Sequence, residues 1–297
     1  MPPTPPPTRT APAPPIGIDV GGTTVKGLRP GADGTVLDDQ RVPTPRPDPT
    51  GRGVVSAVAD LAARLGHRPG DPVGVALPGV VDETSGIGVL STNLGWTDVP
   101  FAALLTAALG TGVVLSHDVR AGAVAEARTG AARGADGVVA FVPVGTGIAA
   151  AVLVDGVPLV AGGWAGEIGQ LVLTEGPFRG LWVEEVASAA ATARRAGHAG
   201  AREVAAAVRG GDAAAQQVWR ETVDVLAHAL AGLVATVAPS VLVVGGGLAL
   251  AGDLLLDPLR AALADRLPGV RQPRIVAALH GDTAAARGAA MLAEVSR

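Results

Sequence analysis

Asp19-Val20-Gly21-Gly22-Thr23-Thr24-Val25-Lys26 sits between apolar stretches at 16 to 20 and 24 to 28, and Val144-Gly145-Thr146-Gly147 stands in the same relation to 138 to 144 and 148 to 154. Apolar runs of this length bounded by glycine read as strands joined by a tight turn. Glycines in such a turn let backbone N–H groups converge on an anion, and Thr23, Thr24 and Thr146 add hydroxyl donors. That suits a phosphate, although one Gly-Gly pair alone reads more readily as an ordinary hairpin turn. The recurrence favours the phosphate, because two such turns can grip adjacent phosphates from opposite sides of a cleft. Lys26 is the only lysine in the chain. It reads either as a phosphate partner or as a solvated strand end.

Outward from the first turn, the pattern predicts strands at 35 to 42 and 73 to 77, a helix at 53 to 65, a glycine-rich hairpin, a helix at 100 to 109 with Asp98 and Gly110 as caps, and a strand at 113 to 117. An Ala-rich helix runs from Asp118 to about Arg128. The second turn starts the order again, with an Asp155-Gly156 hairpin, strands near 157 to 160 and 168 to 173, and helices at 183 to 196, 201 to 209 and 212 to 237. Strand 241 to 244, helix 253 to 266, strand 274 to 278 and helix 283 to 295 complete the chain. The repeat predicts two related α/β domains facing each other across a cleft. Their expected bounds are 16–117, with helix 283–297 packing on that part, and 118–282.

Other nucleotide sites fit less well. A Walker A loop needs Gly-Lys followed by Ser or Thr, and Lys26 lies between Val25 and Gly27. Gly145-Thr146-Gly147-Ile148-Ala149-Ala150 matches the dinucleotide fingerprint with Ala in last place, and Glu167 falls near the distance of a ribose acid. However, Asp155-Gly156 ends the next segment after eight residues, too soon for a crossover helix. Asp118 ends the buried strand 113 to 117 just before a helix, where open α/β sheets place ligands. It reads as a helix N-cap, as a carboxylate that takes a hydroxyl proton during in-line phosphoryl transfer, or as both. His117 beside it reads as a cleft lining or as a core histidine.

The chain has 297 residues, 48% apolar and 17% charged, which gives ample material for a packed core. A formal charge of -4 and 2% aromatics supply neither the basic field nor the stacking surface that nucleic acid requires. Cysteine is absent, which removes disulfides, thiol nucleophiles and thiolate zinc sites and fits a reducing cytoplasm. The first fifteen residues hold eight of the 24 prolines and no apolar core of a signal peptide. They read as a disordered polyproline-like tail. The uncharged stretches 137–154 and 229–252 are long enough to span a membrane but are split by Pro143, Gly145 to Gly147, Pro239 and Gly245 to Gly247, so no membrane partner is expected.

The Asp19 to Lys26 run, Leu77-Pro78-Gly79-Val80-Val81-Asp82, Asn93-Leu94-Gly95-Trp96, Asp118, Val144 to Gly147 and Ala165-Gly166-Glu167-Ile168-Gly169 resemble, in order and spacing, the ROK family of sugar kinases and repressors. The likeness runs from about residue 16 to the end. It implies a two-domain hexokinase/actin-like, ribonuclease H-like fold, ATP with Mg²⁺ as phosphoryl donor, and a hexose or amino-hexose as acceptor. By position, the resemblance makes Asp118 the base on the sugar 6-hydroxyl and turns Gly79, Thr92, His117, Glu167, Gln170 and Glu184 towards the sugar. It also places Gly21, Gly22, Thr23, Lys26, Gly145, Thr146 and Gly147 around ATP phosphates, Asp19 close to the metal and its waters, and Gly245, Gly246 and Gly247 near the adenosine.

The sequence departs from that family at three places. The usual histidine after Gly-Glu-x-Gly, which touches the sugar and binds a structural zinc with a downstream cysteine cluster, is Gln170 here, and Gly176-Pro177-Phe178-Arg179-Gly180-Leu181-Trp182 replaces the cluster. No zinc site is expected. His117 stands where the family has Asn, which changes the donors offered to the ring. The rebuilt loop leaves Glu184 and Glu185 as rivals for one sugar-facing position. Only fifteen residues precede the first strand, too few for the helix-turn-helix of the repressors. The expectation is a cytoplasmic, homodimeric sugar 6-kinase acting on glucose. The alternatives are an amino-hexose such as kanosamine as acceptor, and a non-catalytic sugar sensor.

Overall fold

The computed structural model describes residues 14–31 and 34–295, so most of the proline-rich tail read in the sequence lies outside the described residues. The first half runs β1 (Ile16–Val20), β2 (Thr24–Pro30), β3 (Val36–Pro43), α1 (Arg52–Arg64), β4 (Val73–Leu77), β5 (Val80–Asp82), β6 (Ile87–Ser91), β7 (Trp96–Val99), α2 (Phe101–Leu109), β8 (Val113–His117) and α3 (Asp118–Arg128). The second runs β9 (Val138–Pro143), β10 (Ala151–Val154), β11 (Val157–Pro158), α4 (Val183–Ala187), α5 (Ala189–Arg195), α6 (Ala201–Arg209), α7 (Ala213–Val237), β12 (Val241–Gly245), α8 (Gly246–Ala249), α9 (Asp253–Arg266), β13 (Arg274–Ala277) and α10 (Ala284–Val295).

The duplication is visible in the sheets. One has the order β3-β2-β1-β4-β8 and the other β11-β10-β9-β12-β13. In each, the first three strands in space are antiparallel and the remaining pairs parallel. The inner parallel strands β1, β4 and β12 are buried throughout, as continuous apolar runs covered by helices should be. Trp96 and Phe101 meet edge to face, with centroids 4.7 Å apart, beneath the small β5-β6-β7 sheet. The core of the second sheet joins Val142, Val144, Leu242 and Val244 to Leu226, Leu230 and Leu259 from α7 and α9. α10 lies across β1 and β4 and against α3, because Gly17, Gly74 and Gly288 remove the side chains that would hold these backbones apart. No helix among the described residues is long and apolar enough to cross a membrane.

Three local expectations need correction. Residues 168 to 173 do not form a strand: Ile168–Gln170 is a 3₁₀ turn, because Gly169 presses its backbone against the Ile148 carbonyl. The helix expected over 183 to 196 breaks at Ser188, which has extended backbone angles and whose hydroxyl accepts the Ala191 N–H at 3.1 Å, restarting the helix as a new N-cap. Asp98 does not cap α2; it belongs to β7, and Pro100 occupies the cap position. Gly110 does end α2 in the left-handed region.

Candidate active site

β8 delivers His117 and Asp118 to its C-terminal end. His117 occupies the N-cap position of α3 and Asp118 is its first residue, so Asp118 is not the cap. Asp118 Oδ1 accepts the Val119 N–H at 2.7 Å and lies 3.2 Å from His117 Nε2. The Asp118 side chain keeps 31% of its exposure. Desolvation still pushes its carboxyl up to about 6, against the pull of the Val119 N–H and the Arg120 charge. His117 is neutral, pushed down to about 3 by burial and by the Arg120 cation. Its Nδ1 is buried with no hydrogen-bond partner.

Asp19, the last residue but one of β1, pairs in register with Lys26 of β2. Lys26 Nζ lies 3.7 Å from Asp19 Oδ2 and donates to the Asp282 carbonyl at 3.1 Å. Lys26 is thus a half-buried, partnered side chain rather than a free, solvated strand end. Asp19 is pushed up to about 7, first by desolvation and then by the Asp118 charge, with Lys26 opposing. The first glycine turn is closed by Gly21 N–H on the Thr24 carbonyl at 3.0 Å and tied down by the Thr44 hydroxyl on the Gly21 carbonyl at 2.7 Å. Gly22 faces open space and Thr23 is exposed.

The second turn is built alike, with Gly145 N–H on the Gly147 carbonyl at 3.0 Å and Thr146 exposed. Here a carboxylate supports it from behind. Glu184 Oε2 accepts the Ile148 N–H at 3.2 Å, and its Oε1 accepts the Gln170 amide at 2.8 Å. Glu185 instead turns back, accepting the Trp182 N–H at 2.8 Å at the start of α4. Glu167 is raised by desolvation first and then by the charges of Glu184 and Asp118, with Arg120 opposing. Gly245, Gly246 and Gly247 run from β12 into α8, where Gly246 at φ 77 packs on the Val144 backbone too closely for any side chain. Gly79 turns the chain into β5 beneath the Leu90 carbonyl, and Thr92 is exposed after β6.

The structure therefore links Asp19 to Lys26 by an ion pair and Gln170 to Glu184 by a hydrogen bond, with Asp118 close enough for its charge to raise Asp19 and Glu167 and with His117 beside Asp118. The sequence reading missed Glu83 and Arg120. Arg120 is almost wholly buried and donates to Glu83 at 2.7 Å directly behind Asp118. A signal existed: Arg120 is a charged residue inside an otherwise small-residue and apolar stretch of α3, where a lone cation needs a partner. The loop at 176–182 is a hairpin, held by Gly180 N–H on the Leu173 carbonyl at 2.7 Å and by Phe178 stacked 4.5 Å from Arg195.

The raised carboxyls have a consequence for stability. Asp19 and Asp118 hold protons in the folded chain at pH values where the unfolded chain, near 3.8, has released them. In the ligand-free protein their contribution is present below about pH 4 and is lost as the pH rises through about 6 to 7. The Asp19→Asn/Asp118→Asn double variant should therefore gain urea midpoint over its parent, by a margin that grows from pH 4.5 to 7.5. A constant margin would show that the two carboxyls titrate normally.

The ROK family profile matches residues 15–296. The bifunctional NanE/NanK enzyme of Brucella melitensis is 36% identical over 288 residues, covering 95% of this chain and 54% of that protein. The chain thus spans about half the length of that relative. The N-acetylmannosamine kinase of Shigella boydii is 32% identical, covering 94% of this chain and 98% of its own. The ROK family glucokinase of Streptomyces griseus, solved with glucose and AMPPNP, superposes with a TM-score of 0.81 at 28% identity, over 94% of this chain and 99% of that one. The paired sheets are those of the hexokinase/actin-like architecture. With duplicated sheets, paired glycine turns and a family match over nearly its whole length, the chain belongs to the ROK family.

Proposed function

We propose that the chain is an ATP-dependent sugar kinase that moves the γ-phosphoryl group to the 6-hydroxyl of a hexose, with glucose as the default acceptor. The observation that carries this reading is Asp118: a carboxylate at the end of β8, tuned to about 6, close enough to Asp19 and Glu167 to shift both. A base with that pKa is ionised at neutral pH yet basic enough to take a hydroxyl proton as the phosphoryl group arrives. Kinases and glucokinases among the relatives support the same class. On this reading Gly21 to Thr23 and Gly145 to Gly147 cradle the phosphates, Lys26 neutralises part of their charge, Gly245 to Gly247 lie by the adenosine, and Gly79, Thr92, His117, Glu167, Gln170 and Glu184 face the sugar. A coupled ADP-release assay over a hexose and amino-hexose panel tests it; release with no acceptor in the panel would leave the sensor reading.

Magnesium fits the donor set. Among the described residues no cluster of three ligating side chains exists, so Asp19, one hard oxygen ligand group beside the open first turn, would hold a Mg²⁺ whose other ligands would be phosphate and water oxygens. Activity should disappear when Mg²⁺ is withdrawn and survive exhaustive zinc chelation. Stoichiometric zinc in metal analysis of tag-free protein would contradict this.

One observation favours an amino-hexose as a second reading. Glu167 is raised by desolvation first and then by the charges of Glu184 and Asp118, and an ammonium group on the ring would offset the repulsion from those two carboxylates. His117 and Gln170 stand where acceptor choice would be set. The double variant His117→Asn/Gln170→His should move the preference towards glucose by about ten- to a hundredfold in kcat/KM, with KM for ATP nearly constant. An unchanged ratio between sugars, with lowered stability, would reduce both residues to packing roles.

A further inference from the structure

We propose that Glu83 and Arg120 act as a positioning pair that keeps the strand end bearing His117 and Asp118 in register with the loop bearing Glu167. The inference rests on the kinase reading above, but neither residue needs to touch substrate. Arg120 is 1% exposed. Its Nε donates to Glu83 Oε1 at 2.7 Å, its Nη2 to the Val81 carbonyl at 2.9 Å and its Nη1 towards the Gly163 carbonyl at 3.5 Å. The same Glu83 oxygen accepts the His117 N–H at 2.8 Å and the Ser116 hydroxyl at 3.0 Å.

These bonds join four segments at one point: β5, the end of β8, the first turn of α3, and the loop that reaches Glu167 four residues beyond Gly163. A buried ion pair pays a desolvation cost, and well-packed apolar residues of similar volume usually stabilise a fold as well or better. What apolar residues cannot supply is direction. The planar guanidinium fixes two carbonyls from different segments, and the carboxylate fixes a backbone N–H of the residue next to Asp118. Gly163, at φ 94, also lies against the Val81 carbonyl, where a Cβ would stand at 2.6 Å, so the loop has little freedom except through this cluster. The Arg120 charge reaches both acids of the site, opposing the upward shift of Asp118 and of Glu167. One buried cation therefore ties together the segments that carry Asp118 and Glu167 and also lowers the cost of ionising both.

The test separates placement from stability. The Glu83→Leu/Arg120→Leu double variant replaces the pair with apolar volume and should fold with nearly parental thermal stability. It should nevertheless lose about ten- to a hundredfold in kcat/KM for sugar, in kcat as well as in KM for sugar, while KM for ATP stays within about twofold; misplacement by about 1 Å is worth this much. Amide exchange in residues 160–167 of the ligand-free protein should quicken severalfold, with α7 unchanged. Glu83→Gln keeps an acceptor oxygen and loses the charge, so it should fall between parent and double variant and serves if the double variant does not fold. A folded variant with parental exchange at 160–167 and kcat/KM for sugar within about threefold of parent would overturn the proposal. So would a uniform loss of protection with an unaltered ratio of the two KM values. If the parent phosphorylates no sugar, the kinase reading fails, and the exchange measurement alone then decides whether the pair sets the loop.

Discussion

Replacing Asp118 with Asn should lower kcat by about 10² to 10⁴ while leaving the fold and ATP binding largely intact. The amide has the same shape and can still hydrogen-bond the acceptor hydroxyl, but it cannot take the proton. Its place in the fold tolerates the change: Oδ1 meets only its chain neighbours, the Val119 N–H and His117 Nε2, and the start of α3 is fixed by the His117 N–H on Glu83 rather than by the Asp118 side chain. Removing a carboxyl pushed up to about 6 also removes a group that burial disfavours when ionised, so the variant should be no less stable than the parent at neutral pH. On the kinase reading, kcat/KM for sugar in the parent should fall as the pH drops through about 6, because the free enzyme's carboxyl must be ionised to act as the base. Single-turnover measurements on the Asn variant check the first claim, and an unchanged turnover number would remove Asp118 from the mechanism.

Gly288→Ala should be among the most damaging single-methyl changes outside the site, costing about 3 kcal/mol or more and about 6 to 12 °C in Tm. α10 passes between the first sheet and α3 at backbone contact, and a Cβ at Gly288 would collide with the Ala121 carbonyl. That obstacle is backbone in the middle of a buried helix, so no side-chain rotation relieves it. α10 would have to move off α3, whose first residue is Asp118, and activity should fall with stability. Gly232→Ala is the matched control: it lies in α7 with nothing within 4 Å of an added Cβ. Helix propensity alone then acts, and the variant should gain up to about 1 kcal/mol. Equal melting temperatures for the two variants would refute the close helix contact.

Much of this architecture was legible from local pattern. β1, β4 and β8 fall on the residues that the apolar runs marked, α6 and α9 on theirs, and both glycine turns lie between the strands expected to flank them. These features are encoded within a few residues, by burial of a continuous run, by 3.6-residue periodicity or by glycine in a turn, so the chain specifies them without reference to distant parts. The repetition of strand, turn and strand likewise announced two sheets of one topology, and Asp118 was marked by its place at a strand end.

Tertiary structure decided the rest. Ile168–Gln170 became a 3₁₀ turn because Gly169 meets the Ile148 backbone, twenty-one residues earlier in sequence. Glu184 and Glu185 are adjacent acids at the start of one helix, indistinguishable by propensity; α4 is rotated so that Glu184 meets Ile148 and Gln170 while Glu185 is consumed by Trp182. Glu83 and Arg120 stand thirty-seven residues apart and find each other only when β5 is laid beside α3. A continuous apolar strand is marked by its own residues, whereas a turn made by backbone contact and a buried charge both depend on a partner that arrives from elsewhere. The sequence thus determined most of the elements and set Asp118 at a strand end, and the packing of distant segments determined which carboxylates come together and what holds them there.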